Sequence, residues 1–298
     1  SLDPALQQSV GVFMSRISRE RPWTVVSPLS IQYDTNPLGL TRTTPLPDEY
    51  VKRQVIKLIG GLFTNLEGLG GDKTGSGPFG LGLRLFAVQN LDKKFAGLNV
   101  QFVESEFNWS RFLGKEVGVF KTALMGNLIR LSGRPLSSSL LLKTSLGENE
   151  LSLADERDLQ KTGGKDASAY QIRFAREQVL FNRGSVSSSL PFDLGARQSV
   201  SSSQRERKFD VTLSPGIGWS LSRRLSLKLT EKIAAERLVS SSQNSSTVAR
   251  VSSGLNASWT LQPFLILSLG GSYDWERNFQ TSAVTQKAVA TTTLLGIL

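Results

Sequence analysis

Between Lys208 and Glu231 the chain reads KFDVTLSPGIGWSLSRRLSLKLTE, two runs of period-2 alternation joined by a short polar turn. Phe209, Val211, Leu213, Ile217, Trp219 and Leu221 share one face; Lys208, Asp210, Thr212, Ser214, Gly216, Gly218 and Ser220 share the other. The chain reverses near Arg224, and Leu225, Leu227 and Leu229 then alternate with Ser226, Lys228 and Thr230. The pattern predicts a β-hairpin with one apolar and one polar side. Two environments suit such a hairpin. In a soluble sandwich the apolar side meets a second sheet; in a membrane barrel it meets acyl chains and the polar side lines the interior.

The same alternation recurs along the chain. Trp23 to Tyr33 predicts a first strand and Phe79 to Gln89 a second, with Phe79, Leu81, Leu83 and Leu85 on one face and Gly80, Gly82 and Arg84 on the other. A third strand is expected to place Leu98, Val100 and Phe102 on its apolar face, and a fourth to span about Val117 to Leu131. Leu140, Leu142 and Leu146 mark the fifth; Tyr170, Ile172 and Phe174 open a sixth, with a bulge near Arg176-Glu177. Phe192 to Val200 is the seventh, the hairpin supplies two more, and Ala249 to Trp259, Leu265 to Trp275 and Lys287 to Leu298 complete about twelve. Ten or fourteen result if the fourth and seventh are misread. The charged stretch Ser152 to Ser168 reads as a loop.

Two segments break the alternation. Asp3-Pro4 followed by Leu6, Val10, Phe13, Met14 and Ile17 predicts a short amphipathic helix. Within the long excursion 35–78, Val51, Val55, Leu58, Ile59 and Leu62 form an apolar stripe with Lys52, Arg53 and Lys57 off it, which predicts another.

Composition narrows the function. No apolar run approaches the ~20 residues of a membrane-crossing helix, and there is no apolar signal peptide, as expected of a mature secreted chain. With no Cys there are no disulfides or thiolate metal sites. The net charge of +10 is spread over strands and loops without a basic, aromatic-interleaved run, which argues against nucleic acid.

Long strands, alternating short and long connections, an even strand number and aromatic residues near strand ends (Trp23, Trp109, Trp219, Trp259, Trp275, Tyr170, Tyr273) resemble the bacterial outer-membrane β-barrel class. The resemblance implies an all-β, up-and-down antiparallel transmembrane barrel over residues 23–298. It further implies an N-terminal helix over 1–22, periplasmic or inside the barrel, and an outer-membrane location in contact with lipid and lipopolysaccharide.

The polar face then lines a lumen. Arg84, Lys143, Arg173, Arg197, Lys228 and Arg250 fall on it and are the permeation candidates, favouring small anionic solutes. Each is equally readable as half of an ion pair that holds the wall together. Asp274 and Glu276 are the nearest carboxylate pair, and their expected role is neutralisation by Arg250 or Lys228. With no histidine to act as base, no enzyme activity, catalytic residue, metal or cofactor is expected. The leading expectation is a passive channel. The alternative is a structural or assembly barrel that anchors envelope-complex subunits, forms a homo-oligomer or displays adhesive loops.

Overall fold

The computed structural model describes residues 23–38, 54–69, 78–113, 119–159, 168–200, 205–240 and 245–297. Fifteen strands form one antiparallel sheet: β1 (Trp23–Asp34), β2 (Val55–Leu69), β3 (Phe79–Asn90), β4 (Val100–Phe112), β5 (Val119–Leu131), β6 (Arg134–Leu146), β7 (Asn149–Asp158), β8 (Ser168–Arg183), β9 (Val186–Val200), β10 (Arg205–Leu213), β11 (Gly216–Ser220), β12 (Leu225–Ser240), β13 (Ser246–Gln262), β14 (Leu265–Asn278) and β15 (Val284–Ile297). Except at β10 and β11, each strand pairs with its sequence neighbours, and β1 pairs with β15, so the sheet closes. β10 and β11 both lie between β9 and β12 and are one wall strand interrupted at Ser214-Pro215, where proline has no N–H to donate. The wall therefore has fourteen strands.

Register fixes the faces. On β1 the even positions from Thr24 to Asp34 point inward, and the pairings carry that parity round the wall. Outward stand Trp23, Leu29, Ile31, Leu81, Phe107, Leu124, Leu140, Ile172, Val211, Leu255 and Leu269, all exposed. No second layer covers them among the described residues, which removes the soluble-sandwich reading. A closed antiparallel wall satisfies its own backbone groups and can cross a bilayer. The protein is a transmembrane β-barrel of the outer-membrane type. Outward aromatics gather near the strand ends: Phe79 stacks on Phe107 at 5.8 Å, and Trp109 meets Phe120 edge-on at 5.8 Å.

Four expectations need correction. The segment 55–62 is strand β2, not a helix: its outward residues are Ile56, Leu58 and Leu62, but its inward residues Val55, Ile59 and Phe63 are apolar too, so the period-2 signal is lost. The charged stretch Ser152 to Ser168, expected as a loop, begins with most of strand β7, on which inward Glu156 pairs with Arg197 at 2.9 Å, as Glu150 just before it pairs with Lys143 at 3.0 Å. These two strands raise twelve to fourteen. β4 has the opposite parity to that expected: Val100 and Phe102 face inward. The register shift in β8 falls between Val179 and Phe181, some residues beyond the expected bulge. The helix expected over residues 3–17 lies outside the described residues.

Turn chemistry supports the register. Ser132 and Gly133, at φ 50° and 81°, make the two-residue β5–β6 connection, which needs two positive angles.

Candidate functional site: the inner wall

All eight residues nominated from the sequence stand on the inner face, and most are paired. Arg84 on β3 bridges Glu104 and Glu106 of β4, the latter at 2.8 Å. Lys143 meets Glu150 at 3.0 Å, Arg197 meets Glu156 at 2.9 Å, and Arg173 lies 3.0 Å from Asp193 and 2.9 Å from Asp210. Arg250 reaches Glu276 at 2.6 Å and Glu236 at 2.5 Å; Glu236 also takes Lys208 at 2.8 Å. Asp274 accepts from the Ser252 hydroxyl and faces Lys287 across the β14–β15 ladder. Lys228 lies inward between Gly218 and Asn256 with no ion pair among the described residues. Thus Arg250 pairs with Glu276, while Lys228 does not.

These groups are distributed along the ladders of several strand pairs, not gathered at one constriction. Among the described residues most inward cations are matched by inward carboxylates, so this lining carries charge of both signs. Much of the excess positive charge sits at rims and in connections, as with Arg176, Arg183, Arg223, Arg224 and Arg277.

One cluster escaped sequence reasoning. Asp34, at the far end of β1, is fully buried and receives Lys57 from β2 at 2.6 Å, Lys287 from β15 at 3.0 Å and the Asn36 backbone N–H at 3.0 Å. It joins the first, second and last strands where the wall closes. Inward parity of Asp34 was legible; the meeting of residues far apart in sequence was not.

The inner wall has two unlike halves. Val26, Ile59, Phe63, Phe86, Ile266 and Leu295, from β1, β2, β3, β14 and β15, form an apolar buried cluster with Val88, Phe102 and Ile297 against it. Across the lumen lies an open polar cavity of about 470 Å³ bordered by Glu150, Arg173, Asp193, Thr212, Ser214 and Lys232. No group of three or more metal-binding side chains occurs among the described residues.

Close packing holds the polar half as well. A Cβ on Gly195 would stand 2.6 Å from Asp210 Oδ1, so glycine is what lets Asp210 reach Arg173. Gly195→Ala is expected to displace that carboxylate and to cost about 1–3 kcal/mol through its lost charge-assisted contact. Gly270→Ala, where the nearest atom would be 3.7 Å away, is expected to be close to neutral. Urea midpoints in detergent compare the two.

No family model and no curated protein matches the chain. Solved structures that it resembles include OmpT, an outer membrane protein of Vibrio cholerae, at 7% identity and a TM-score of 0.46 over 93% of this chain and 99% of that one. A bacterial polysaccharide outer membrane secretin resembles it at 9% identity and 0.47, over 91% and 97%. An anion-selective porin from Comamonas acidovorans does so at 8% identity and 0.43, over 93% and 98%.

Proposed function

We propose that the protein is a non-catalytic assembly barrel of the outer membrane, which anchors a partner envelope protein rather than passing solute freely. The observation that carries this is an unpaired strand edge. β7 begins at Asn149, opposite Arg176, and the last contact on that side is the Glu177 N–H to the Glu148 carbonyl at 3.1 Å. β8 nevertheless runs on to Arg183, paired among the described residues with β9 alone. Its free edge carries Val179, Leu180 and Phe181, exposed at 56%, 51% and 47%.

Natural sheets normally cover, shorten or charge such an edge, and a free apolar edge is where an added strand gains both backbone hydrogen bonds and side-chain burial. Two copies in one membrane share the same up-down sense, so their β8 edges meet parallel, the weaker pairing. The occupant that fits is an extended segment of a different envelope protein, with apolar residues at alternate positions. The lumen supports the same reading: five of the six basic residues nominated for permeation already hold carboxylates.

The test places a photoreactive benzoylphenylalanine at Val179, at Phe181 and, as a lipid-facing control, at Leu153 in cells. Discrete adducts at the two edge positions and none at the control are expected, with no steady conductance from the purified barrel in planar bilayers. Absence of adducts, together with a steady anion-preferring current, returns the protein to solute passage.

A further inference from the structure

Lys228, Lys232 and Glu236 point into the barrel, so the odd positions of β12 point out, and one of those is a carboxylate. From Leu225 to Ala235 the outward side chains of β12 are apolar except at Glu231, and the next one along is Arg237. Glu231 stands six residues from Leu225 and six from Arg237. With a rise of about 3.3 Å per residue and a tilt of about 40°, each span covers about 15 Å of depth, so the carboxylate sits near the middle of the acyl layer. Around it on the same face are Leu229, Ile233, Val251 and Leu255, all exposed.

The barrel itself gives this group little. The Ser253 hydroxyl, opposite on β13, donates to it at 2.7 Å, and no cation meets it among the described residues. One neutral hydroxyl occupies one lone pair and leaves the charge in place. An ionised side chain at that depth is costly to hold and is ordinarily matched by a group from a neighbouring segment.

We propose that the outer face of β12 to β14 around Glu231 is an intramembrane protein interface, whose occupant is a membrane-spanning segment of a different envelope protein carrying an arginine or lysine at mid-depth. This goes beyond the β8 edge and does not depend on it: the face is a separate surface, within the acyl layer and three wall strands away.

Charge decides the occupant. Acyl chains offer no counter-charge, and lipid headgroups lie about 15 Å away at either limit. A second copy of the chain fits poorly. Among the described residues its outward basic side chains lie toward the rims, with Arg111, Arg207, Arg237 and Arg277 near strand ends and Arg176 beside the β6–β7 turn. A two-fold contact through this face would therefore set carboxylate against carboxylate. A segment of another protein can bring the missing cation, provided its own backbone is satisfied internally, as in a helix or a barrel wall. The wall is also low on one side of Glu231: Ser253, Ala257 and Gly271 are outward and small, which lets a second backbone come close.

The test places benzoylphenylalanine at Val251, beside Glu231 on the outer face, and at Leu124 on β5 as a lipid-facing control, in cells. A discrete adduct is expected at Val251 and none at Leu124, with the cross-linked peptide mapping to a membrane-spanning segment of another protein that carries an arginine or lysine. Glu231→Gln should reduce that adduct by about tenfold or more, and Glu231→Arg combined with glutamate at the mapped basic position should restore it. An adduct formed with a second copy of the chain alone, an adduct equally strong in Glu231→Gln, or no adduct overturns the proposal. A second measurement separates an interface from a structural role. The purified Glu231→Gln barrel in lipid vesicles is expected to unfold at the same urea concentration as the parent or higher, because the carboxylate has no counter-charge there. A lower midpoint overturns the proposal, since it shows that the barrel itself uses the group through Ser253. Adducts at Val179 and Phe181 are scored in cells with Glu231 intact, so failure of this face and failure of the β8 edge are read separately.

Discussion

Asp34→Ala is expected to weaken the barrel more than loss of any other single charge, by about 3–5 kcal/mol. The carboxylate is fully buried and accepts from Lys57, Lys287 and the Asn36 amide, so its removal leaves two ammonium groups facing each other in a site with little water. The Lys57 side chain is only 16% exposed. The location amplifies the loss, because β1 and β15 meet there and every other wall pairing except those made by β10 and β11 is between sequence neighbours or their near equivalents. Closure of the wall is the step that brings the chain's two ends together across the largest loop. Urea unfolding in lipid vesicles, followed by tryptophan fluorescence, measures the difference. Asp34→Ala combined with Lys57→Met should recover part of it, since removal of both charges leaves Lys287, 33% exposed, to reach solvent. A cost within 1 kcal/mol, about that of a surface pair, would show the cluster to be solvated.

What the sequence revealed and what it concealed follow from one asymmetry. Strands whose inner face is polar announce themselves: β3 sets Phe79, Leu81 and Leu83 against Gly80, Gly82 and Arg84, and β13 sets Val251, Leu255 and Trp259 against Arg250, Ser252 and Asn256. Strands that build the dry half of the lumen do not. β2 carries Val55, Ile59 and Phe63 inward as well as Ile56, Leu58 and Leu62 outward, and apolar residues at 55, 58, 59 and 62 fit a helical period as readily as a strand. Phe102 misled the parity of β4 for the same reason, since a large aromatic on an inner wall looks like a lipid-facing one until its partner Phe86 is known. β7 failed in the opposite sense: Glu156 resembles part of a solvated loop because its cation, Arg197, lies on another strand. The inward placement of Arg84, Lys143, Arg173, Arg197, Lys228 and Arg250 was legible from alternation alone. Their neutralisation was not, because pairing across strands depends on register, and register comes from the whole closed sheet.

That asymmetry yields the second large effect. Val26→Asp is expected to abolish stable folding of the barrel, while Gln171→Asp, also inward, is expected to leave it within about 0.5 kcal/mol of the parent. Val26 is 0% exposed among Phe63, Ile266, Leu295 and Ile297, with no cation in the cluster to meet a carboxylate. Burying an unpaired charge costs several kcal/mol even after relaxation, a large part of the stability of an ordinary domain. Gln171 lies opposite Arg197 on β9, in the half of the wall that borders the polar cavity, so a new carboxylate there shares Arg197 with Glu156 and keeps access to water. Heat-modifiable gel mobility of the refolded proteins separates the cases, because only a closed barrel migrates as the compact form. If Val26→Asp folded as well as Gln171→Asp, the inner face of β1 would have to be open to water, and the lumen would be one solvated space instead of two halves with different chemistry.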